Sequence, residues 1–353
     1  MQNPIKKILD RIVLYLYHTS LVHKNNQLTS NTQLINELSE EIKILRNKVN
    51  LDLSLNKYSK LLKIKINEGH TQKNQIKKQH VLGDKKMVLL NFADKNYSEA
   101  QYISTQTALA TNKFDKIISL SPRDFDLDFK ERNAQLLLKK RGVGYWCWKP
   151  TIIKKIILQN LNEGDFLIYA DSGGFFVDSV IADIKKLIDL DQEILPYHNK
   201  YIEKHYTKAD LFHHLNCQDD NLVTDSFQRV GGLSIYKVCE KTISFLDQWI
   251  SLSEIECLID DTPSKISNDR NFIEHRHDQS IFSVLSKLNN LKSESYMPNY
   301  YWGQILRPEI VKKFNEMEIA PYFLSQIPKP VLFDLFQTIK AQTDFENLKQ
   351  VIK

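Results

Sequence analysis

Short apolar segments typical of strands alternate with amphipathic segments typical of helices from residue 87 onward. The strand-like segments are residues 87–93, 116–121, 165–170, 193–197 and 228–237. The helix-like segments between them are residues 96–112, 126–140, 150–161 and 178–190. Alternation of this kind predicts an α/β fold built on a largely parallel sheet. Ligands bind beyond the carboxyl ends of the strands in such sheets, so the residues that follow each strand are the candidates for a site.

The charge and the breaker residues separate the first 86 residues from the rest. Residues 1–86 hold 16 Lys and Arg against 7 Asp and Glu, whereas residues 87–353 hold 32 against 36. No glycine precedes Gly69, and no proline lies between Pro4 and Pro122. The first segment is therefore basic, and its composition predicts helix. The mildly acidic remainder argues against nucleic acid as a partner.

The basic segment predicts a helical arm over residues 1–66, followed by a polar linker over 67–86. Residues 5–17 carry an apolar stripe at helical spacing, which either packs on another helix or lies on an anionic membrane surface. Residues 28–52 repeat Ile, Val or Leu in heptads. This repeat predicts a short parallel coiled coil and a homo-oligomer, with a helical hairpin as the alternative.

Cysteine usage and hydropathy indicate the cellular compartment. The four cysteines lie far apart without a CxxC pair, which argues against a disulfide framework. The apolar runs are much shorter than the roughly 20 residues that span a bilayer. The first residues also lack the apolar region of a signal peptide. A cytoplasmic location is therefore expected.

The most informative residues follow the strand at 165–170. Asp171, Ser172, Gly173 and Gly174 come directly after it. A carboxylate at the end of a buried strand is well placed to hold a divalent metal, and glycines let the backbone approach a phosphate closely. The alternative is an ordinary turn in which the aspartate caps the backbone.

A second segment, residues 141–150, combines two glycines, three aromatic rings and two cations immediately before a helix. Its candidate ligand-binding side chains are Arg141, Tyr145, Trp146, Trp148 and Lys149. Arginine and lysine neutralise diphosphates, and aromatic faces stack on bases or sugar rings. The alternative is that the tryptophans anchor the loop in the core, and alternation favours this for one of the two.

Two later segments carry further candidates. Residues 228–237 read as a strand that contains a Gly pair, which suits a close approach. Residues 274–280 include His275, His277 and Asp278 and precede an apolar helix. Asp278 is a helix cap, a general base or a metal ligand, and the two histidines are metal ligands or face solvent.

These segments in this order, RGVGYWCWKP, GDFLIYADSG and HRHDQS, resemble bacterial glycosyltransferases of the GT-A fold that build capsule, lipopolysaccharide and related surface glycans. The resemblance covers roughly residues 87–305. It implies a nucleotide-sugar donor, with UDP-sugars favoured, and Mn²⁺ or Mg²⁺ on the donor diphosphate. The family's DXD-type metal motif falls on Asp171, Ser172 and Gly173. Because Gly173 stands where that motif has an aspartate, the second metal ligand would be His277 or Asp278.

The resemblance also implies roles for single residues. Asp278 is expected to deprotonate the acceptor hydroxyl, while Arg141 and Lys149 stabilise the departing phosphate. The donor base is expected near residues 91–94, with Asp94 as a candidate, by the rule that ligands bind at the carboxyl ends of the strands.

Tyr301 and Trp302 follow the last predicted helix of this region. They form an acceptor-sugar platform or the edge of a core. Residues 306–353 are expected to be a helical C-terminal extension. Surface-glycan acceptors are often linked to lipid at the cytoplasmic face of the inner membrane, where a basic arm would make a peripheral contact.

Two other functions compete with a glycosyltransferase. A sugar nucleotidyltransferase has a similar sheet, but its Gly-rich phosphate loop is expected after the first strand, where this chain reads NFADKNYSEA without a glycine. A coiled-coil scaffold that carries an inactive sugar-binding domain is the second alternative, which the incomplete acidic motif leaves open.

Overall fold

The computed structural model describes residues 80–176, 180–295, 301–302, 306–308 and 311–312. The chain divides into two compact units, one of residues 69–304 and the other of residues 1–68 together with 305–353. The expected arm, its coiled coil, the first part of the linker and almost all of the C-terminal extension lie outside the described residues.

The larger unit contains a mixed six-stranded sheet. The strands, in chain order, are β1 (Met87–Phe92), β2 (Lys116–Leu120), β3 (Phe166–Ala170), β4 (Phe175–Phe176), β5 (Ile194–Ile202), β6 (Phe227–Lys237), β7 (Glu294–Ser295) and β8 (Tyr301–Trp302). The sheet order is β2-β1-β3-β6-β5-β7, and β4 pairs separately with β8. β6 runs antiparallel to both of its neighbours, while the other pairs within the sheet are parallel. The predicted α/β class is confirmed, with an antiparallel strand at the centre.

Helices connect these strands. They are α1 (Ser98–Ala110), α2 (Leu127–Arg132), α3 (Ala134–Leu137), α4 (Gly142–Tyr145), α5 (Lys149–Asn160), α6 (Ile181–Asp189), α7 (Ala209–His214), α8 (Asn221–Thr224), α9 (Glu240–Ser253), α10 (Glu256–Ile259) and α11 (His277–Leu288). Short 3-10 turns lie at Lys95–Tyr97, Pro122–Asp124 and Glu203–His205. Among the residues described, no helix combines the length and the apolar character needed to cross a bilayer.

Both faces of the central strands are covered. β1 is buried along its whole length, and its residues alternate between two apolar clusters. Val88 and Leu90 belong to the cluster under α5, α9 and α11, whereas Met87 and Leu89 belong to the cluster under α1 and α6. Strands covered on both faces read as continuous apolar runs, which is why they were recognisable in the sequence.

A buried polar network ties the end of β5 to β6 and α11. The fully buried carboxylate of Glu203 accepts hydrogen bonds from Thr207 Oγ1 at 2.6 Å, Gln228 Nε2 at 3.0 Å and Lys287 Nζ at 2.6 Å, and from the hydroxyl of Ser283. Burial lowers the pKa of Lys287, and Glu203 opposes that shift. The network therefore fixes α11, whose first turn carries Asp278.

We expect Glu203→Ala to destabilise the protein by about 3–5 kcal/mol, because it leaves the ammonium of Lys287 buried without its counter-charge. The matched control is Lys241→Ala, which removes a lysine that is 81% exposed and pairs with Glu193. The control should leave the free energy of unfolding nearly unchanged, since exposed ion pairs contribute little to stability. Urea unfolding of the full-length variants measures both effects. If Glu203→Ala lowered the free energy of unfolding as little as the control does, the structural role of this network would be refuted.

Candidate active site

A buried lysine, itself a predicted site residue, contacts two of the others. Lys149 begins α5, and only 3% of its side chain is exposed. Its Nζ lies 2.7 Å from Asp278 Oδ2 and 3.5 Å from Asp171 Oδ1, and it donates to Gly231 O at 3.1 Å. These partners come from the first turn of α11, the loop after β3, and β6. The ammonium therefore points into the protein. It faces three oxygens, one for each of its N–H bonds.

Asp171 is the carboxylate that this cluster presents to solvent. Its side chain is 34% exposed, against 5% for Asp278. Tyr169 donates its hydroxyl to Asp171 Oδ1 at 2.8 Å, and the backbone N–H of Asp171 donates to Gly232 O at 2.8 Å. Asp171 is therefore held in place from the side chain and from the backbone.

Tyr169 is a site residue that the sequence analysis did not single out. Its ring is fully buried, and the ammonium of Lys149 lies 5.2 Å from the ring centroid. A signal existed in the sequence, because residues two apart on a strand point to the same face. Tyr169 and Asp171 have that spacing.

The Gly pair of β6 lies against both carboxylates. A Cβ at Gly231 would lie 3.0 Å from Asp278 Oδ2, and a Cβ at Gly232 would lie 2.7 Å from Asp171 Oδ2. The close approach that the sequence predicted at this pair is therefore made by the two aspartates of the cluster.

Burial and charge perturb the titration of this cluster. The pKa of Asp278 is raised to about 6, because burial and, to a smaller extent, the nearby charge of Asp171 together outweigh the opposing effect of Lys149. Burial works against the charged form of Lys149, but the charges of Asp171 and Asp278 outweigh it and raise the pKa of Lys149. Perturbed titratable groups that meet at the end of a sheet are typical of functional sites.

The aromatic segment beside this cluster forms a left-handed helical turn. Five consecutive residues have positive φ, namely Gly142 (58°), Val143 (54°), Gly144 (87°), Tyr145 (55°) and Trp146 (61°). Tyr145 N donates to Arg141 O at 2.8 Å, and Trp146 N donates to Gly142 O at 3.1 Å. This conformation costs an L-amino acid roughly 1–2 kcal/mol per residue, so contacts with the rest of the fold must stabilise it.

The two tryptophans of this segment differ in their surroundings. Trp148 is buried, stacks on Phe92 with ring centroids 3.8 Å apart, and donates its indole N–H to Gly142 O at 2.9 Å. Trp146 is partly exposed, and its ring lies where a Cβ on Gly142 would come within 2.3 Å. The structure therefore places Trp148 in the core and Trp146 at the edge of the site.

His277 packs against this turn. Its ring stacks on Tyr145 at 4.8 Å between centroids, its Nδ1 donates to Ile259 O at 2.7 Å, and its Nε2 lies 3.5 Å from Asp261 Oδ1. Burial lowers the pKa of His277, which favours the neutral imidazole. Arg141, half exposed, donates to both carboxylate oxygens of Asp261 at 3.2 and 3.3 Å.

His275 is also enclosed by the fold. Its Nδ1 accepts from the backbone N–H of Lys208 at 3.2 Å, and its Nε2 donates to Leu258 O at 2.9 Å. Burial holds the pKa of His275 well below its usual range. Because His275 and His277 are both buried, the solvent-facing alternative for this pair is wrong.

The other predicted site residues occupy nearby loops. Asp94 follows β1, and its Oδ1 accepts from the backbone N–H groups of Asn96 and Tyr97 at 3.0 and 3.2 Å, as a cap. Gly173 lies in the turn after Asp171. Tyr301 and Trp302 form β8 beside β4, and the structure describes only the backbone of these two residues.

The expected metal does not fit this arrangement. In the part of the chain that the structure describes, no three His, Cys, Asp or Glu side chains are grouped to hold a metal ion. Asp171 and Asp278 both contact the ammonium of Lys149, and His277 faces Asp261 instead. A resident metal ligated by Asp171 and His277, or by Asp171 and Asp278, is therefore not supported.

No family model matches the chain, and none of the curated proteins is similar to it in sequence. Solved structures are similar at low identity. Mouse xyloside xylosyltransferase 1 is 9% identical with a TM-score of 0.34, over 60% of this chain and 84% of that chain. The galactosyltransferase LgtC, solved with donor and acceptor sugar analogues, is 12% identical with a TM-score of 0.34, over 70% and 100%.

A Bacillus anthracis protein described as a glucose-1-phosphate thymidylyltransferase is 10% identical with a TM-score of 0.32, over 66% of this chain and 96% of that chain. At these identities and TM-scores the likeness identifies no family.

We expect the replacement Asp278→Asn to change how stability depends on pH. Because burial raises the pKa of Asp278, the folded protein binds more protons than the unfolded chain between pH 4 and 6. The stability that Asp278 contributes should therefore fall as the pH rises through this window. The wild-type unfolding free energy should drop by about 2–3 kcal/mol relative to Asp278→Asn between pH 4 and 7.

Urea unfolding of both proteins across this pH range measures the difference. A difference that grows with pH would show that the attraction of Lys149 exceeds the cost of burial, as for an ordinary ion-paired aspartate.

Proposed function

We propose that this chain is a glycosyltransferase that moves a sugar from a nucleotide-diphospho-sugar, with UDP-sugars favoured, to an acceptor hydroxyl. The observation that carries the proposal is the arrangement of Asp171, which the end of β3 presents to solvent while Tyr169 and Lys149 hold its carboxylate. A fixed carboxylate accepts hydrogen bonds from sugar hydroxyls. The partly exposed rings of Tyr145 and Trp146 lie on the adjoining turn and suit a sugar or base.

The transfer forms a bond between the acceptor oxygen and the anomeric carbon and breaks the bond from that carbon to the diphosphate. The acceptor hydroxyl loses its proton, and the phosphate gains negative charge. Asp278 was expected to take this proton, but it is buried against Lys149. We therefore assign the proton to the carboxylate of Asp171, which is better placed to touch the substrate. Arg141 is half exposed at the aromatic turn and is the cation we assign to the phosphate.

The competing nucleotidyltransferase would form a nucleotide sugar instead of consuming one. Such an enzyme is expected to hold phosphates in a Gly-rich loop after the first strand. In this chain Asp94 caps a 3-10 turn at that position, and its hydrogen bonds go to the backbone of the turn itself. No observation favours this function or the inactive scaffold over the transferase.

A panel of nucleotide sugars tests the proposal. Release of UDP, GDP or CMP from each donor would be followed for full-length wild type, Asp171→Asn and the control Asp189→Asn. The control removes a surface carboxylate that pairs with Lys185. We expect one donor class to be turned over, Asp171→Asn to lose about 100-fold or more in kcat/KM, and the control to match wild type.

The panel would be run with Mn²⁺ and with EDTA, and with nucleoside triphosphate plus sugar phosphate as a separate arm. Turnover in that last arm alone would identify a nucleotidyltransferase. No turnover and no donor binding in any arm would remove the transferase and favour the scaffold.

The acceptor and the cellular setting are proposed on the sequence resemblance. We assign a hexose as the transferred sugar and a surface glycan, free or lipid-linked, as the acceptor, used in the cytoplasm or at the inner face of the membrane. The arm over residues 1–66 would serve this setting through oligomerisation or through contact of its basic residues with anionic lipid.

We expect the full-length double variant Leu38→Asp/Leu45→Asp to sediment at a lower mass than wild type. Both leucines hold d positions of the predicted coiled coil, where a charge would face the partner helix. Glu41→Ser, which changes a position outside the apolar seam, is the control. Equal masses for the three proteins would exclude a coiled-coil oligomer over residues 28–52.

A further inference from the structure

The three oxygens around the Lys149 ammonium form a cation site. They are Asp278 Oδ2 at 2.7 Å, Asp171 Oδ1 at 3.5 Å and the carbonyl oxygen of Gly231 at 3.1 Å. Carboxylate and carbonyl oxygens are the ligands that hard divalent cations take in proteins. In this chain the cation among these oxygens is a side chain of the protein itself.

We propose that Lys149 is the resident cation of the site, in the position between Asp171 and Asp278 that a divalent metal would otherwise take. The ligand-free protein then binds no divalent metal at these two carboxylates.

Burial favours this arrangement in the folded state. Only 3% of the Lys149 side chain is exposed, so water does not compete with the two carboxylates for the ammonium. The Tyr169 ring, 5.2 Å from Nζ, adds an attraction for the cation from a further side. A metal ion would have to displace a buried ammonium from two carboxylates, which is costly because buried ion pairs are hard to break.

The charge of the site depends on Lys149. The ammonium of Lys149 offsets the repulsion between the carboxylates of Asp171 and Asp278, and its removal leaves the two side chains without a counter-charge. Such a pair, together with the carbonyl of Gly231, should recruit a divalent ion from solution. Lys149→Met removes the charge but keeps an unbranched side chain of similar length, so it should convert the site from a lysine site into a metal site.

The test is a titration of full-length, ligand-free protein with Mn²⁺, read by electron paramagnetic resonance of the free ion and by thermal unfolding. We expect wild type and Lys149→Arg to bind no Mn²⁺ in the site, since both keep a cation there. We expect Lys149→Met to bind Mn²⁺ and to show a Tm that rises with its concentration. The double variant Lys149→Met/Asp171→Asn should lose this gain.

Two outcomes would overturn the proposal. One is Mn²⁺ binding by wild type that disappears in Asp171→Asn, because it would show a metal beside the lysine. The other is a folded Lys149→Met protein that gains no Mn²⁺ binding. The comparison of wild type with Asp171→Asn decides the question even where Lys149→Met does not fold. Neither readout depends on turnover, so failure of the donor panel and failure of this inference remain distinguishable.

Discussion

One buried ammonium holds the site together. Lys149 brings the start of α5, the end of β3, the middle of β6 and the first turn of α11 to a single point. An ionic cluster of this kind is weak evidence for stability, because well-packed apolar residues often serve as well. Its value lies in geometry, since it sets the position of Asp171 at the surface. The glycines of β6 make that geometry possible by leaving room for both carboxylates.

Much of the fold could be predicted from the sequence, for a simple physical reason. β1 and β3 are covered on both faces, so they appear as unbroken apolar runs with clear ends. Strand direction leaves no such mark, and the antiparallel course of β6 was not predicted. The helix expected over residues 126–140 is broken at Asn133, whose amide bonds to Phe129 O and to Glu254. The second of these partners lies far along the chain, beyond the reach of local patterns.

The site was predictable as a set of residue types and not as an arrangement. Asp171, Lys149 and Asp278 stood out because charged side chains follow or begin buried elements. That Lys149 faces the two aspartates and not solvent depends on packing between elements distant in sequence. For the same reason the sequence favoured a core position for one of Trp146 and Trp148 but did not decide which. The fold separates them, because the indole of Trp148 stacks on Phe92 and the ring of Trp146 does not enter that stack.

The left-handed turn at residues 142–146 has a consequence for how the chain folds. A short isolated peptide would not hold five consecutive residues at positive φ, because the cost is too high for the non-glycine residues among them. The turn exists because the rings of Tyr145 and Trp146 pack against His277, more than a hundred residues later in the chain. The aromatic edge of the site therefore forms only after the turn at residues 142–146 has packed against the segment that carries His277. A partly folded chain, in which these contacts are absent, would therefore lack this edge of the site.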